Sequence, residues 1–463
     1  MNDKSPRERL GSRLGFILLS AGCAIGVGNV WKFPTVAGQN GGALFVLIYL
    51  VFLAIMGIPV LTMEFSMGRA AQKSPVKMYH ALTPKKKGWR IHGYLCLAGN
   101  VILMMFYTCV SAWMLRYFVY MVSGKFSGLD KAGVESVFGE MLSEPWMMIL
   151  FVAIVVIIGF GVCAIGVQKG LERVSKILML ALLGIMVILA VNSLTLSGAG
   201  EGLSFYLRPD FTPLSNVKSA SNVVVAAMNQ AFFTLSLGIG SMAIFGSFIG
   251  KDRALMGEAI NVTVLDTSVA FISGLIIFPA CFTYGVDVAA GPALIFQTLP
   301  HVFNNMWGGR VWGSLFFIFM SFAALSTVLA VFQNILSCTE ELFGWSKKKA
   351  CLIDGIAIFL LSIPCILGYN VWSAFRPFGE NTAVLDLEDY IVSNILLPLG
   401  ALIIVVFCTW SKHGWGWNSF TTEANTGKGV KLRRWMRVYM KFVLPIIIGV
   451  ILVIGIITPF LPK

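Results

Sequence analysis

Residues 22–34 read G-C-A-I-G-V-G-N-V-W-K-F-P and lie across the end of an uncharged run, 14–31, of the length an α-helix needs to cross a hydrocarbon core. Three glycines, Asn29, Lys32 and Pro34 predict that this helix is broken. Backbone freed at membrane depth is tolerated only where protein buries it or where it lines a cavity. Such a stretch offers bare carbonyls to a cation and bare amides to a carboxylate, the material of a solute-binding site.

Further residues of that chemistry follow along the chain. F-F-T-L-S-L-G-I-G-S (232–241) places three hydroxyls and two glycines inside another apolar run and predicts a second break. Gly and Ser also let helices pack closely, so each break alone has a structural reading. Two matched breaks, opening corresponding halves, point instead to a site at mid-membrane. A hard cation takes oxygen ligands, so carbonyls, hydroxyls and carboxylates are the candidates. Ser326 and Thr327 supply adjacent hydroxyls, although such a pair read alone bonds its own helix. Asp266 is a carboxylate inside a span, which costs about 3 kcal/mol on insertion scales and is a functional-site hypothesis by default. Glu64 is expected to accept from the amides of a broken helix, a structural role. Lys32 and Asp389 are an opposite-charge pair suited to a gate.

The elements that must position these groups are membrane helices. Hydrophobic residues make up 57% of 463 and charged residues 12%; the mean hydropathy is +0.81, far from soluble averages. Uncharged stretches at 14–31, 33–63, 91–115, 146–168, 177–200, 219–250, 267–286, 311–339, 355–375, 390–411 and 442–462 predict eleven spans. Most of the 35 Lys and Arg fall on the N-terminus and on the loops after even-numbered spans. The positive-inside rule therefore puts the N-terminus in the cytoplasm and, with an odd span count, the C-terminus outside. The basic clusters at 85–87 and 347–349 are topology signals facing a lipid bilayer; no nucleic-acid partner is expected despite a net charge of +13. The nine cysteines lie in or beside spans and read as small packing residues. No nucleophile–base pair, metal motif or phosphate loop is present, which argues against an enzyme. Residues 291–300 read as a re-entrant lid or, equally, as a surface connector.

G-V-G-N-V-W-K-F-P (26–34), N-G-G-A-L-F (40–45), G-I-P with Glu64 and G-R (57–69), F-F-T-L-S-L-G-I-G (232–240), G-P-A-L-I-F-Q-T-L-P (291–300) and L-D-L-E-D-Y (385–390) together resemble the neurotransmitter:sodium symporter family along nearly the whole chain. The resemblance implies an all-α integral membrane protein with 11 transmembrane helices in a 5+5 inverted-repeat transporter fold, helices 1 and 6 broken. Repeat one would run over about 11–195, repeat two over about 219–411, and an extra helix over 435–461, all in one domain.

It further implies sodium-coupled import of a neutral, hydrophobic amino acid by alternating access, with two Na+ ions. The first sodium site would use the Ala24 carbonyl, Asn29, Thr234 and Asp266. The second would use carbonyls of Gly22, Ile25 and Ala323 with the hydroxyls of Ser326 and Thr327. Amides of Val27 and Gly28, with Tyr107, would hold the substrate carboxylate; carbonyls of Ala24, Phe233 and Thr234 would meet its ammonium. Cys23, Leu103, Val110, Phe233, Ser236, Ile239, Val328 and Val331 would wall the pocket. Lys32 with Asp389 would form the outer gate, and Arg7 with Glu341 the inner one. The chain departs from the family at several points. Lys32 stands for an arginine, Phe248 for the inner-gate tyrosine and Leu180 for a proline common in relatives. Asp266 stands where chloride-dependent members have asparagine, so a fixed negative charge replaces bound chloride and no chloride requirement is expected.

Overall fold

The computed structural model describes residues 10–285, 288, 294–380 and 382–457, and among them the chain forms helices and no strand. Arg7, one half of the expected inner gate, lies outside the described residues, as do residues 291–293 of the expected lid. Ser12 opens the first helix, its hydroxyl accepting from the Gly15 amide. The membrane helices are α1 (Arg13–Ala24), α2 (Gly28–Gln39), α3 (Ala43–Ala71), α4 (Lys87–Ser123), α5 (Pro145–Ile165) and α6 (Val167–Leu194) in the first half. The second half holds α7 (Val217–Thr234) and α8 (Ser241–Gly246), then α9 (Leu255–Thr283), α10 (Gly309–Phe343), α11 (Lys347–Leu367) and α12 (Val384–Thr409). The last is α13 (Met436–Ile457). Among the described residues nine helices are long and apolar enough to cross a membrane, and ten when the bent pair α1–α2 is one span. The interrupted pair α7–α8 stands outside that count.

Both expected interruptions are present. At the first, Ile25 leaves helical geometry with φ −69° and ψ 97°, and α2 departs at 59° to α1. At the second, Ser236, Gly238 and Gly240 take φ of 49°, 103° and 71°, a left-handed region that glycine enters freely and serine at a cost of roughly 1–2 kcal/mol. One expected boundary is corrected. The sequence assigns residues 33–39 to the second span, yet they continue the first as its second half. Pro34 sits where the π-helical turn Gly28–Lys32 passes into the α-helical turns Phe33–Gln39, and the helix runs on through it. The chain turns instead at Gly41 and Gly42, with φ of 80° and 55°.

The two longest helices, α4 and α10, pack along one another, and α1 lies against α10, α9 and α6. α7 and α8 lie along α3. The two interruptions are thereby brought beside one another in the protein interior. On the face that carries the N-terminus, the chain entering α1 is tied down by carboxylates. Gly11 N (2.7 Å) and Ser12 Oγ (3.0 Å) donate to Glu172 at the start of α6, and Lys176 Nζ joins them at 2.6 Å. Arg13 Nε reaches both oxygens of Glu258 at the start of α9, at 3.0 and 3.2 Å. On the opposite face, Leu294–Thr298 and Leu299–Asn305 turn into the protein. Phe296 is buried there, stacked on Phe138 at 4.8 Å and edge-on to Trp31 at 5.9 Å.

Candidate ion and solute site

The first interruption faces the two hydroxyls of α10. Thr327 Oγ1 lies 3.3 Å from the Gly22 carbonyl, 3.4 Å from that of Cys23 and 3.4 Å from that of Ile25. Ser326 Oγ lies 3.3 Å from the same Ile25 carbonyl and 2.8 Å from the carbonyl of Ala323. All five groups expected for one sodium site thus converge, and every donor atom is oxygen. Three carbonyl dipoles and two hydroxyls, with no nitrogen or sulfur, make a set that suits a hard monovalent cation. The hydroxyls bond across to α1 because the carbonyls of Gly22, Cys23 and Ile25 have lost their helical partners.

Asn29, Thr234 and Asp266 form a second, fully buried cluster. Asn29 Nδ2 donates to Asp266 Oδ1 (2.8 Å), Thr234 Oγ1 (3.0 Å) and the Asp266 carbonyl (3.3 Å). Thr234 Oγ1 in turn donates to Asp266 Oδ2 at 3.0 Å, while Asn29 Oδ1 accepts from Gly26 N at 3.2 Å. The amide nitrogen therefore occupies the focus of three oxygens. Turning the Asn29 amide over would bring its oxygen there instead, completing an oxygen set around a fixed negative charge. These residues fit a cation. Ala24, expected in the same site, lines the adjoining cavity.

That cavity is small, about 30 Å³, and Cys23, Ala24, Gly28, Leu103, Tyr107, Phe233, Thr234, Ser236 and Ile239 line it as the sequence led us to expect. Val27 N donates to the Tyr107 hydroxyl at 3.0 Å, so two groups expected to hold a carboxylate hold each other. Gly26 must be glycine. A Cβ there would run into the Tyr107 hydroxyl and come within 2.8 Å of Thr327 Oγ1. Gly28 is held to glycine likewise by Phe233, whose Cε1 would lie 2.7 Å from an added Cβ. A space of this size admits about one or two waters, so a larger solute would enter only after Phe233 and its neighbours moved. Val110, Val328 and Val331 are buried but do not line the cavity in this conformation. Val328 abuts Gly159 of α5, where an added Cβ would lie 3.3 Å from it.

The gates differ from expectation. Lys32 does not face Asp389; its Nζ sits 3.8 Å over the centroid of the Phe233 ring. Asp389 accepts from Ser393 Oγ at 2.6 Å. A cation over an aromatic face needs no charged partner, and here the lysine caps the ring that roofs the cavity. Glu341 accepts from Ser74 N at 3.1 Å and Ser74 Oγ at 2.7 Å, at the start of the short helix Pro75–Leu82. Glu64 plays the structural part expected of it, with Oε1 accepting from Gly238 N at 2.6 Å.

Sequence reasoning missed three contributors. Val392 and Leu397 of α12 line the cavity, brought in where α12 widens to π-helix over Ile391–Leu396; π-bulges are frequent at functional sites. Gln230 Nε2 reaches the Gly28 carbonyl at 3.4 Å. Nothing in an apolar Val-Leu pattern marks the first two, but Gln230, a polar residue within a span, carried a usable signal.

Comparison with known proteins agrees with this arrangement. The family model described as the sodium:neurotransmitter symporter family matches residues 7–128 and 134–462. A sodium-dependent transporter of Bacillus subtilis, YhdH, is 36% identical over 411 residues, covering 88% of each chain. A sodium-dependent transporter of Haemophilus influenzae is 31% identical over 457 residues, covering 96% of this chain and 98% of its own. The crystal structure of MhsT in complex with L-phenylalanine superposes with a TM-score of 0.85 at 36% identity, covering 97% of this chain and all of that one. Interrupted helices framing oxygen clusters, in a chain matched from end to end, identify a multi-pass, sodium-dependent transporter, and the protein belongs to the sodium:neurotransmitter symporter family.

Proposed function

We propose that the protein is a symporter that imports a neutral, hydrophobic amino acid together with two sodium ions and without chloride. Its N-terminal face would lie in the cytoplasm, as the basic loops argue. The observation that carries this reading is the adjacency of the two oxygen clusters to the Val27–Tyr107 pair. Gly26 stands between them, its amide on Asn29 and its Cα against both Tyr107 and Thr327. A cation drawn to Ser326 and Thr327 would pull the Gly22, Cys23 and Ile25 carbonyls inward and fix the interrupted segment. Val27 N and Tyr107 would then be positioned to exchange each other for a substrate carboxylate. The substrate's ammonium would lie toward the carbonyls of Ala24, Phe233 and Thr234. The apolar wall of Cys23, Leu103, Phe233 and Ile239 favours an uncharged side chain, and MhsT, bound to L-phenylalanine, supports that class. The Asp266 carboxylate supplies the fixed charge for which chloride would otherwise be needed.

Repeat one (about 11–195) and repeat two (about 219–411) would each be opened by an interrupted helix, and rocking of one set against the other would alternate access. Two sodium ions with a zwitterion carry two charges inward. At about 2.3 kcal/mol per charge per 100 mV the potential supplies roughly 4.6 kcal/mol, enough to sustain a gradient on the order of a thousandfold. The test is uptake of labelled hydrophobic amino acids into liposomes, with external sodium replaced by choline and chloride by gluconate. Uptake should vanish in choline and persist in gluconate. Uptake that survives in choline, driven by a pH gradient, would replace sodium coupling with proton coupling.

A further inference from the structure

The floor of the cavity is Ile239, on the unwound stretch between α7 and α8. The glycines on either side of it have φ of 103° and 71°, so few backbone hydrogen bonds of its own hold this segment. What holds Ile239 comes from α4. Asn100 is buried; its Nδ2 donates to the Ile239 carbonyl at 2.8 Å and to its own helix at Cys96 O at 2.6 Å. Its Oδ1 accepts from Ser241 Oγ, at the first residue of α8, at 2.8 Å. The neighbouring Gly99 makes room for the Ile239 side chain, since a Cβ there would lie 3.0 Å from Ile239 Cγ2. Gly99, Asn100, Leu103 and Tyr107 occupy one stripe of α4 at helical spacing, so the helix that presents one wall of the cavity also fixes its floor.

We propose that Asn100 is a positioning residue that sets which side-chain sizes the transporter accepts, acting through Ile239. The inference rests on the functional reading above and names a determinant within it. A small substrate fits with Ile239 in place. A bulky one requires Ile239 to withdraw, and the Asn100 bond to its carbonyl opposes that withdrawal. Removing the amide lowers this cost for large substrates alone. Adding a methyl at Gly99 has the reverse effect, because it drives Ile239 toward the cavity.

The experiment measures competition by unlabelled valine, leucine, phenylalanine and tryptophan against labelled leucine uptake in liposomes, together with KM and maximal rate. Asn100→Ala should raise the preference for tryptophan over valine by about three- to tenfold, the range given by losing one buried hydrogen bond. The change should appear in KM, with maximal rate little altered. Gly99→Ala should move the same ratio in the opposite direction. Ser241→Ala cuts the other bond of the same amide and spares the one to Ile239, so the ratio should stay at the wild-type value even if the protein is less stable. Equal losses for all four amino acids in Asn100→Ala, or shifts of the same sign in Asn100→Ala and Gly99→Ala, would overturn the proposal. Should Asn100→Ala fail to reach the membrane, the pair Gly99→Ala and Ser241→Ala decides: an unmoved ratio in the first, or a shifted one in the second, refutes it. A wild-type protein that carries none of the four amino acids refutes the functional reading itself, whereas wild-type uptake with unmoved variant ratios refutes only the role of Asn100.

Discussion

Thr327→Val is the sharpest probe of the first interruption, because it keeps the shape of the side chain and deletes one oxygen. That oxygen lies within 3.3–3.4 Å of three carbonyls, and a cation among them would bind it directly. An interaction between a charged group and a polar partner is worth about 1.5–3 kcal/mol, so the sodium dissociation constant should rise roughly 10- to 150-fold. Sodium held at a hundred times its wild-type dissociation constant stabilises the folded protein by about 2.7 kcal/mol. If the constant rises a hundredfold, the same concentration gives only about 0.4 kcal/mol. The assay is thermal unfolding of purified protein across a sodium titration, with potassium holding ionic strength fixed. Thr327→Ser, which keeps the hydroxyl, should titrate close to wild type. A wild-type sodium midpoint in Thr327→Val would refute the assignment of these oxygens to a transported ion, whatever happened to the melting temperature itself.

Asp266→Asn removes the buried charge that Asn29 and Thr234 surround, and uptake should then rise with added chloride; uptake equal to wild type and indifferent to chloride would discard the charge argument. Lys32→Met takes away the cation over Phe233, a contact worth about 0.5–2 kcal/mol, so bound substrate should dissociate about two- to thirtyfold faster in a filter-binding chase. An unchanged off-rate would show that Phe233 closes the cavity without the lysine. Glu172→Gln weakens the grip on Gly11, Ser12 and Lys176, and the chain before α1 should be cut by protease on the order of tenfold faster, since charged hydrogen bonds are the strong ones. Equal cutting rates would show that the Arg13–Glu258 pair and the Leu10 N–Phe248 carbonyl bond hold the N-terminal segment without Glu172.

The parts of the site legible in the sequence were those where one residue type has one physical use. Glycines at 22, 26 and 28 within an apolar run mark a broken helix, and a carboxylate inside a span marks a charge with a task. Adjacent hydroxyls at 326 and 327 were ambiguous alone and became informative only beside the break that exposes carbonyls to them. The outer-gate assignment came by resemblance. Lys32 has a long, flexible stem, and spacing in the sequence does not decide between the ring of Phe233, over which its Nζ sits, and the carboxylate of Asp389. The boundary error at residues 33–39 has a different origin. Lys32 and Pro34 look like a span terminus in sequence, but the π-helical turn before Pro34 carries the helix through it, so the second half of the first span runs on to Gln39. Asn100 was passed over although a polar amide inside a span is costly unless bonded; its partners are the carbonyl of Ile239 and the hydroxyl of Ser241, 139 and 141 residues away, which no local pattern reveals.

The two interruptions are not equivalent, and the difference is what the proposed sodium site would use. At the second, protein groups already satisfy the freed backbone: Gly238 N is taken by Glu64 and the Ile239 carbonyl by Asn100. At the first, the Gly22, Cys23 and Ile25 carbonyls share the hydrogens of only two hydroxyls at long range, and Val27 N has only the Tyr107 hydroxyl. Buried carbonyls so thinly served are costly in a hydrocarbon setting. A monovalent cation satisfies several of them at once, which two hydroxyl hydrogens cannot do. On the proposed reading, ion binding would order the first interruption, while the second keeps its geometry through side chains of α3 and α4. Coupling would follow from the asymmetry. The segment proposed to depend on sodium is the one whose amides are proposed to meet a substrate carboxylate, so the substrate should bind weakly wherever sodium is absent. A calorimetric titration that gives equal amino acid affinity in sodium and in choline would break this link.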